Sequence, residues 1–416
     1  MQTAYQKNPL IESYIQLPIQ EIQSLLPQFQ DYQLVFLVGY PSDIGAHNCD
    51  GRTGQELGPN SFREISQMNR LSNQKIEDHQ SFIKSSRDQQ RLGVVNIDRV
   101  KMKIIDCGNI KSVFGEIEET QKNLREYVEQ LQHIAPNSIV IVVGGSDDLN
   151  FPILQSICSS SHEKQVFHLL RIDPQLDIEE QYRKQFDELE PTFHENNQSY
   201  FRMAIENEEI MSKLNKVTFF GLQGHKVSQD QIDSLNSVAV DKFEFIFYDK
   251  HLRRYQQSSQ EREQGLYNPT IVLNSLLQAY KVQPQLSEQK YISKLIVNLD
   301  LQAIKSQYAL GVSEPCPAFG FSIEEIEELS YQLGQQNQLK VFTISEYNPA
   351  IEKVRTGNIL NSIYQNLLLG IAKRLHTEGK LTEQQIKQVD EIKQQNLMKQ
   401  EEHQDQNQYV YSSILD

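Results

Sequence analysis

Several features that would each indicate an activity are missing from this chain. Lys and Arg total 40 against 55 Asp and Glu, a net charge of −15. No basic patch with interleaved aromatics offsets that balance, which argues against a nucleic-acid partner. The four cysteines, Cys49, Cys107, Cys158 and Cys316, are far apart and follow no metal-ligand spacing. They read as reduced thiols of an intracellular, reducing compartment. No apolar run approaches the roughly 20 residues a transmembrane helix needs. A Ser-His-Asp set, a phosphate loop and a GxGxxG fingerprint are likewise absent. Met1–Gln33 holds Glu12 and Glu21 but no Arg, unlike a presequence. The expected location is therefore cytoplasmic, with mitochondrial import lacking a cleaved presequence left open.

What is present is a regular alternation. Eight short β-branched or aromatic runs occur: Leu34–Val38, Lys103–Cys107, Ile139–Val143, Val166–Ile172, Val217–Leu222, Phe243–Tyr248, Leu295–Leu299 and Leu339–Ser345. Amphipathic helical patterns separate most of them: Glu116–Ile134, Tyr200–Leu214, Gln229–Ser237, Thr270–Lys281 and Ile323–Leu333, with Gly357–Leu375 after the last. Buried strands alternating with helices predict an α/β fold, a three-layer αβα domain on a mainly parallel eight-stranded sheet. The domain is expected over 34–377. Residues 1–33 form an N-terminal extension with a short helix around Ile19–Leu26. Residues 378–416 form a polar C-terminal helix, Glu383–Gln406, and a tail.

Three of the runs end on carboxylates. Gly144-Gly145-Ser146-Asp147-Asp148 follows Ile139–Val143, Asp173-Pro174-Gln175-Leu176-Asp177 follows Val166–Ile172, and Asp300-Leu301-Gln302 follows Leu295–Leu299. In parallel α/β sheets the carboxyl ends of the strands line the crevice where ligands bind. Two further segments complete the pattern: Gly39-Tyr40-Pro41-Ser42-Asp43-Ile44-Gly45, leading to Gly58-Pro59 and Arg63, and Ser345-Glu346-Tyr347-Asn348-Pro349. In this order the five segments resemble the ureohydrolases, the family of arginase, agmatinase and formimidoylglutamase. The resemblance covers nearly the whole domain and implies its arginase-like fold.

The resemblance also implies a chemistry, and the residues depart from it. Active relatives hold two manganese ions that share a hydroxide, which attacks a guanidino or amidino carbon. Positions matching the first ion's ligands are Asp147, Asp173, Asp177 and Asp300, all carboxylates. Positions matching the second ion's imidazole and carboxylate are Gln175 and Gln302. A neutral carboxamide is a poor substitute for either ligand, so no two-manganese centre is expected. For the first site two alternatives stand. One Mg²⁺ or Ca²⁺ could take the oxygen-only set, or the carboxylates could be metal-free, bonded to backbone amides, Arg63 or Arg171. The metal-free pocket, with no cofactor, is the expectation. Glu346 matches a glutamate that would pair with a guanidinium, and His194 lies where the family places a substrate-contacting loop. These readings predict an inactive ureohydrolase-fold protein serving as a structural subunit, bound to other protein subunits or to its own copies. The competing reading is a single-metal amidinohydrolase.

Overall fold

The computed structural model describes residues 14–16, 19–77, 101–161, 164–179, 182–183, 193–239, 241–252, 268–281, 292–315 and 319–379. The C-terminal helix Glu383–Gln406, the tail beyond it and Cys316 lie outside them.

The strands are β1 Tyr14–Gln16, β2 Gln33–Tyr40, β3 Met102–Asn109, β4 Ile139–Gly144, β5 Gln165–Ile172, β6 Tyr182–Arg183, β7 Phe193–His194, β8 Leu214–Leu222, β9 Phe243–Phe247, β10 Ile292–Asp300 and β11 Leu339–Ser345. The helices are α1 Ile19–Leu25, α2 Ile44–Asn48, α3 Gly58–Glu77, α4 Ile117–Ile134, α5 Asn150–Ser159, α6 Tyr200–Glu206, α7 Glu208–Lys213, α8 Gln229–Val238, α9 Pro269–Lys281, α10 Ile323–Gly334 and α11, residues 354–379.

All eight expected strands pair in one parallel sheet of order β1-β3-β2-β4-β11-β10-β5-β8-β9. The short β1 adds a ninth strand on β3, with Tyr14 opposite Ile104. Central strands such as Ile139–Val143 are buried throughout, because helices cover both faces and leave no room for a polar side. The core accordingly splits into two layers. Val297, Leu299 and Phe342 pack on one face; Ile296, Val341 and Phe219 pack on the other.

Local chemistry sets the helix limits. Capping boxes start α8 at Ser228 with Gln231 and α10 at Ser322 with Glu325. The single helix expected over Tyr200–Leu214 is two, because the Asn207 side chain accepts from Ile210 N (3.1 Å) and begins α7 afresh. Helix α5 is not among those that periodicity marks. Nearly all of its residues are buried, so no polar face shows in the sequence.

Helices α10 and α11 cross at backbone distance. A Cβ on Gly370 would lie 3.0 Å from Gly334 Cα and still closer to Tyr331 O. Gly370→Val should therefore destabilise the protein by about 1–3 kcal/mol or more, the usual range for overpacking. Urea denaturation checks this, and an unchanged midpoint would contradict the close crossing.

Candidate functional site

Four neighbouring strands, β4, β11, β10 and β5, deliver the carboxylates. Asp147 lies three residues beyond β4, Glu346 directly follows β11, Asp300 ends β10 and Asp173 directly follows β5. Adjacent strands are only about 4.8 Å apart, so side chains at their ends converge. The β4 turn needs Gly145, since a Cβ there would strike the backbone of Tyr40 and Ser42. Two site residues hold left-handed backbone that non-glycine residues rarely adopt: Asp177 at φ 52° and Glu346 at φ 72°. Such conformations persist only where surrounding contacts enforce them.

Asp147, Asp173 and Asp300 are all buried and offer ligand atoms within 4.8 Å of one another. Asp147 Oδ1 accepts from Asn150 Nδ2 (2.7 Å) and from Ser345 Oγ, while Asp147 Oδ2 is buried without a partner. Asp300 Oδ1 accepts from Gln302 N (2.6 Å), and Asp173 Oδ1 accepts from Gln175 N (2.8 Å). Asp177 is not one of these three but lies beside Asp173, and the two face a cation that the chain itself supplies. Arg171 Nη2 donates to Asp173 Oδ2 (2.6 Å) and to Asp177 Oδ2, and Arg171 Nη1 donates to Leu176 O (2.6 Å). Its guanidinium lies against the rings of Tyr200, Phe201 and Phe219, 4.8–5.1 Å from their centroids, an arrangement that favours a cation. Of the two arginines expected as partners, Arg171 fills that role. Arg63 does not, because Asp106 on β3 holds it with two 2.8 Å bonds.

The two glutamines bond to each other. Gln175 Nε2 donates to Gln302 Oε1 (3.4 Å), Gln302 Nε2 donates to Ser313 Oγ (3.0 Å), and Ser313 Oγ donates to Glu346 Oε2. Glu346 is wholly buried and also accepts from Asn197 Nδ2 (2.7 Å), Asp147 N (3.1 Å), Ser313 N (3.3 Å) and Gln55 Nε2 (3.4 Å). Sequence reasoning did not single out Asn197, Ser313, Gln55 or Ser345. Asn197 lies three residues after His194, and nothing in its residue type marks it as a site residue. His194 has only its backbone described, on β7 opposite Tyr182.

Charge is the main tension here. Five carboxylates (Asp147, Asp173, Asp177, Asp300 and Glu346) share one guanidinium. Burial, then the neighbouring Asp173, pushes Asp147 up to about 8. Burial, again with Asp173 next, holds Asp177 and Asp300 well above the usual carboxylate range; Arg171 opposes this at Asp177 without outweighing it. Burial raises Glu346 as well, against the donors from Ser313, Gln302 and Gln55. At Arg171 burial disfavours the charge, but Tyr200 and the carboxylates of Asp173, Asp177 and Asp147 more than offset it, so the guanidinium stays ionised.

Three buried carboxylates with one orphaned oxygen fit a single hard divalent ion, for which oxygen-only ligation is suitable. The paired glutamines do not fit a second ion, since both amides are neutral and already bonded to each other or to Ser313.

The site is thus a cluster of carboxylates at the carboxyl rim of a parallel αβα sheet, the place where open α/β folds bind their ligands. The arginase family profile matches residues 33–370, and the chain belongs to the arginase family. Among solved structures, the manganese-bound formiminoglutamase of Trypanosoma cruzi shares 20% identity at a TM-score of 0.58, over 83% of this chain and 95% of its own. The formimidoylglutamase of Bacillus subtilis shares 17% at 0.57, over 82% and 88%. The proclavaminate amidino hydrolase of Streptomyces clavuligerus shares 16% at 0.54, over 82% and 93%. No curated protein matches the sequence. Among the described residues no helix is long and apolar enough to cross a membrane.

Proposed function

We propose that this arginase-family chain does not run the two-metal hydrolysis, and that it acts as a structural or accessory subunit of a larger assembly. The hydrogen bond from Gln175 to Gln302 carries this reading. It joins the two positions that would hold a second ion, and as carboxamides neither residue offers a charge or a strong donor atom. Without a second ion no bridging hydroxide forms, and the metal route to a nucleophile at neutral pH is lost. Two further observations support it. Arg171 engages two of the four carboxylates that match the first ion's ligands. Glu346, the candidate partner for a substrate guanidinium, already accepts from four residues of the protein itself. What remains is an α/β scaffold, and the partner class proposed for it is protein: other subunits or further copies of itself.

One observation favours the alternative, a hydrolase of a guanidino or amidino compound with one atypical metal. Asp147 Oδ2 is buried and unpartnered beside Asp173 and Asp300. There Asp147, Asp173 and Asp300 would hold the ion, which would polarise a bound water. Ser345 and Asn150 would orient Asp147, and Arg171 would fix the free rotation of Asp173.

Metal analysis and an assay separate the two readings. The purified, dialysed protein should hold fewer than two Mn²⁺ per chain and release neither urea nor formamide from guanidino or formimino substrates. Gln175→His combined with Gln302→Asp should tighten binding of a second Mn²⁺ by about tenfold or more, since ligand identity governs the affinity. Two stoichiometric Mn²⁺ in the unaltered chain would overturn the proposal. Turnover with one metal would establish the alternative. Deleting Gln408–Asp416 tests the subunit role: the shortened chain should no longer co-purify with a large complex from its native source.

A further inference from the structure

The opposite end of the sheet carries the reverse charge. Lys294 and Lys340 lie near the amino ends of the neighbouring strands β10 and β11, where Leu295 pairs with Leu339. Arg374, near the C-terminal end of α11, reaches the same edge. Hydrogen bonds through Gln33 and the segment after α4 link Arg374 to Lys340, while strand pairing sets Lys294 beside them. Arg374 Nη1 donates to Gln336 O (2.6 Å), and its Nη2 donates to Gln33 Oε1 (3.0 Å). Gln33 Nε2 donates to Asn137 O (3.0 Å), and Lys340 Nζ donates to the adjacent Pro136 O (2.5 Å).

We propose that Lys294, Lys340 and Arg374 form a binding site for a small oxyanion of the phosphate class. Three basic side chains lie in this one region of a chain whose net charge is −15. Neither lysine is ion-paired with a described carboxylate, and Lys294 makes no hydrogen bond through its side chain among the described residues. The acid that Arg374 meets is Glu378, 3.9 Å from Nε and half exposed. Lys340 and Arg374 are only 6% and 9% exposed, too recessed for a broad acidic surface, while the neighbouring Pro136, Asn137 and Ile292 are exposed.

Pro136 O lies just past α4, and a helix C-terminus favours a cation. That accounts for one charge of the three. Three donors also lack acceptors in this region, Ser138 Oγ (3% exposed), Ser293 Oγ and Arg374 Nε, and one acceptor, Gln336 Oε1, lacks a donor. An unsatisfied buried donor is costly, and an oxyanion supplies acceptors as well as charge. In agreement, burial and then Lys294 push Lys340 down to about 8, while burial and then Arg374 lower Lys294. These cations repel one another across the site, and a dianion would relieve the repulsion.

Titration calorimetry of inorganic phosphate into the full-length protein at constant ionic strength tests the site. Saturable binding of one phosphate per chain is expected, with sulfate competing and chloride not. Lys340→Met and Lys294→Gln should each weaken it by about tenfold or more, the scale of one charge-assisted contact. Glu378→Gln should tighten it by removing the opposing charge. Lys294 is half-buried, so its variant retains the test if Lys340→Met fails to fold. Absence of saturable binding, or an affinity unchanged in the lysine variants, would overturn the proposal.

Discussion

Replacing Arg171 by methionine should cost about 3–5 kcal/mol of stability at pH 8, the range found when one partner of a buried ion pair is removed. Methionine fills similar space and keeps contact with the Tyr200, Phe201 and Phe219 rings, so packing is largely retained. Charge is not. Asp173 and Asp177 would lose their shared donor inside a pocket that also holds Asp147 and Asp300. A divalent cation then becomes the natural substitute. The variant, unlike the parent, should be stabilised strongly by millimolar Mg²⁺ or Mn²⁺, through preferential binding to the folded state. Urea denaturation with and without metal measures both effects. A loss under about 1 kcal/mol with no metal response would show that Arg171 is not the site's counter-ion, since exposed pairs alone give values that small.

The second large effect is the pH dependence of the metal-free protein. Asp147, Asp177, Asp300 and Glu346 all hold their protons more tightly when folded than free carboxylates do. A group of this kind contributes its stabilisation fully below the unfolded value, near 4, and loses it as the pH rises through the folded value. For Asp147 that window runs up to about 8. Stability should therefore decline between pH 5 and pH 9, where many proteins are near their maximum. Asp147→Asn should remove the steepest part of the decline and stabilise the protein at pH 8 by about 1–3 kcal/mol, the cost of leaving a buried polar group unsatisfied. The asparagine can still accept from Ser345 and Asn150, and it presents a donor toward the remaining acids. Denaturation midpoints across that range decide the matter. A flat profile, or the same slope in Asp147→Asn, would rule out the protonated carboxylates.

Much of the fold was legible from residue pattern alone. Strands such as Ile139–Val143 are continuous apolar runs because both faces are covered, and that signal survives in any tertiary context. Helix α5 was not legible for a related reason: burial on all sides removes the polar stripe that periodicity detects. The break at Asn207 depends on a single side-chain cap, which competes locally with helix continuation.

The site divides along the same line. Its carboxylates and its glutamines stood out because each follows or ends a recognisable strand, so position in sequence implied position on the rim. The donors around Glu346 did not. Gln55, Asn197 and Ser313 come from three loops separated by more than 100 residues each, and nothing in their types or spacing relates them.

By itself the amino-acid sequence determined the parallel α/β architecture, the rim of acids, and the neutral residues at 175 and 302, since strand period and side-chain charge are local properties. Only the tertiary structure decided which cation faces the acids. Both Arg63 and Arg171 were available, and the two differ in what surrounds them. Strand β3 places Asp106 against the first, whereas β5 turns the second inward beneath three aromatic rings and two aspartates. That choice depends on contacts between distant segments, because a buried charge settles wherever its desolvation is best offset.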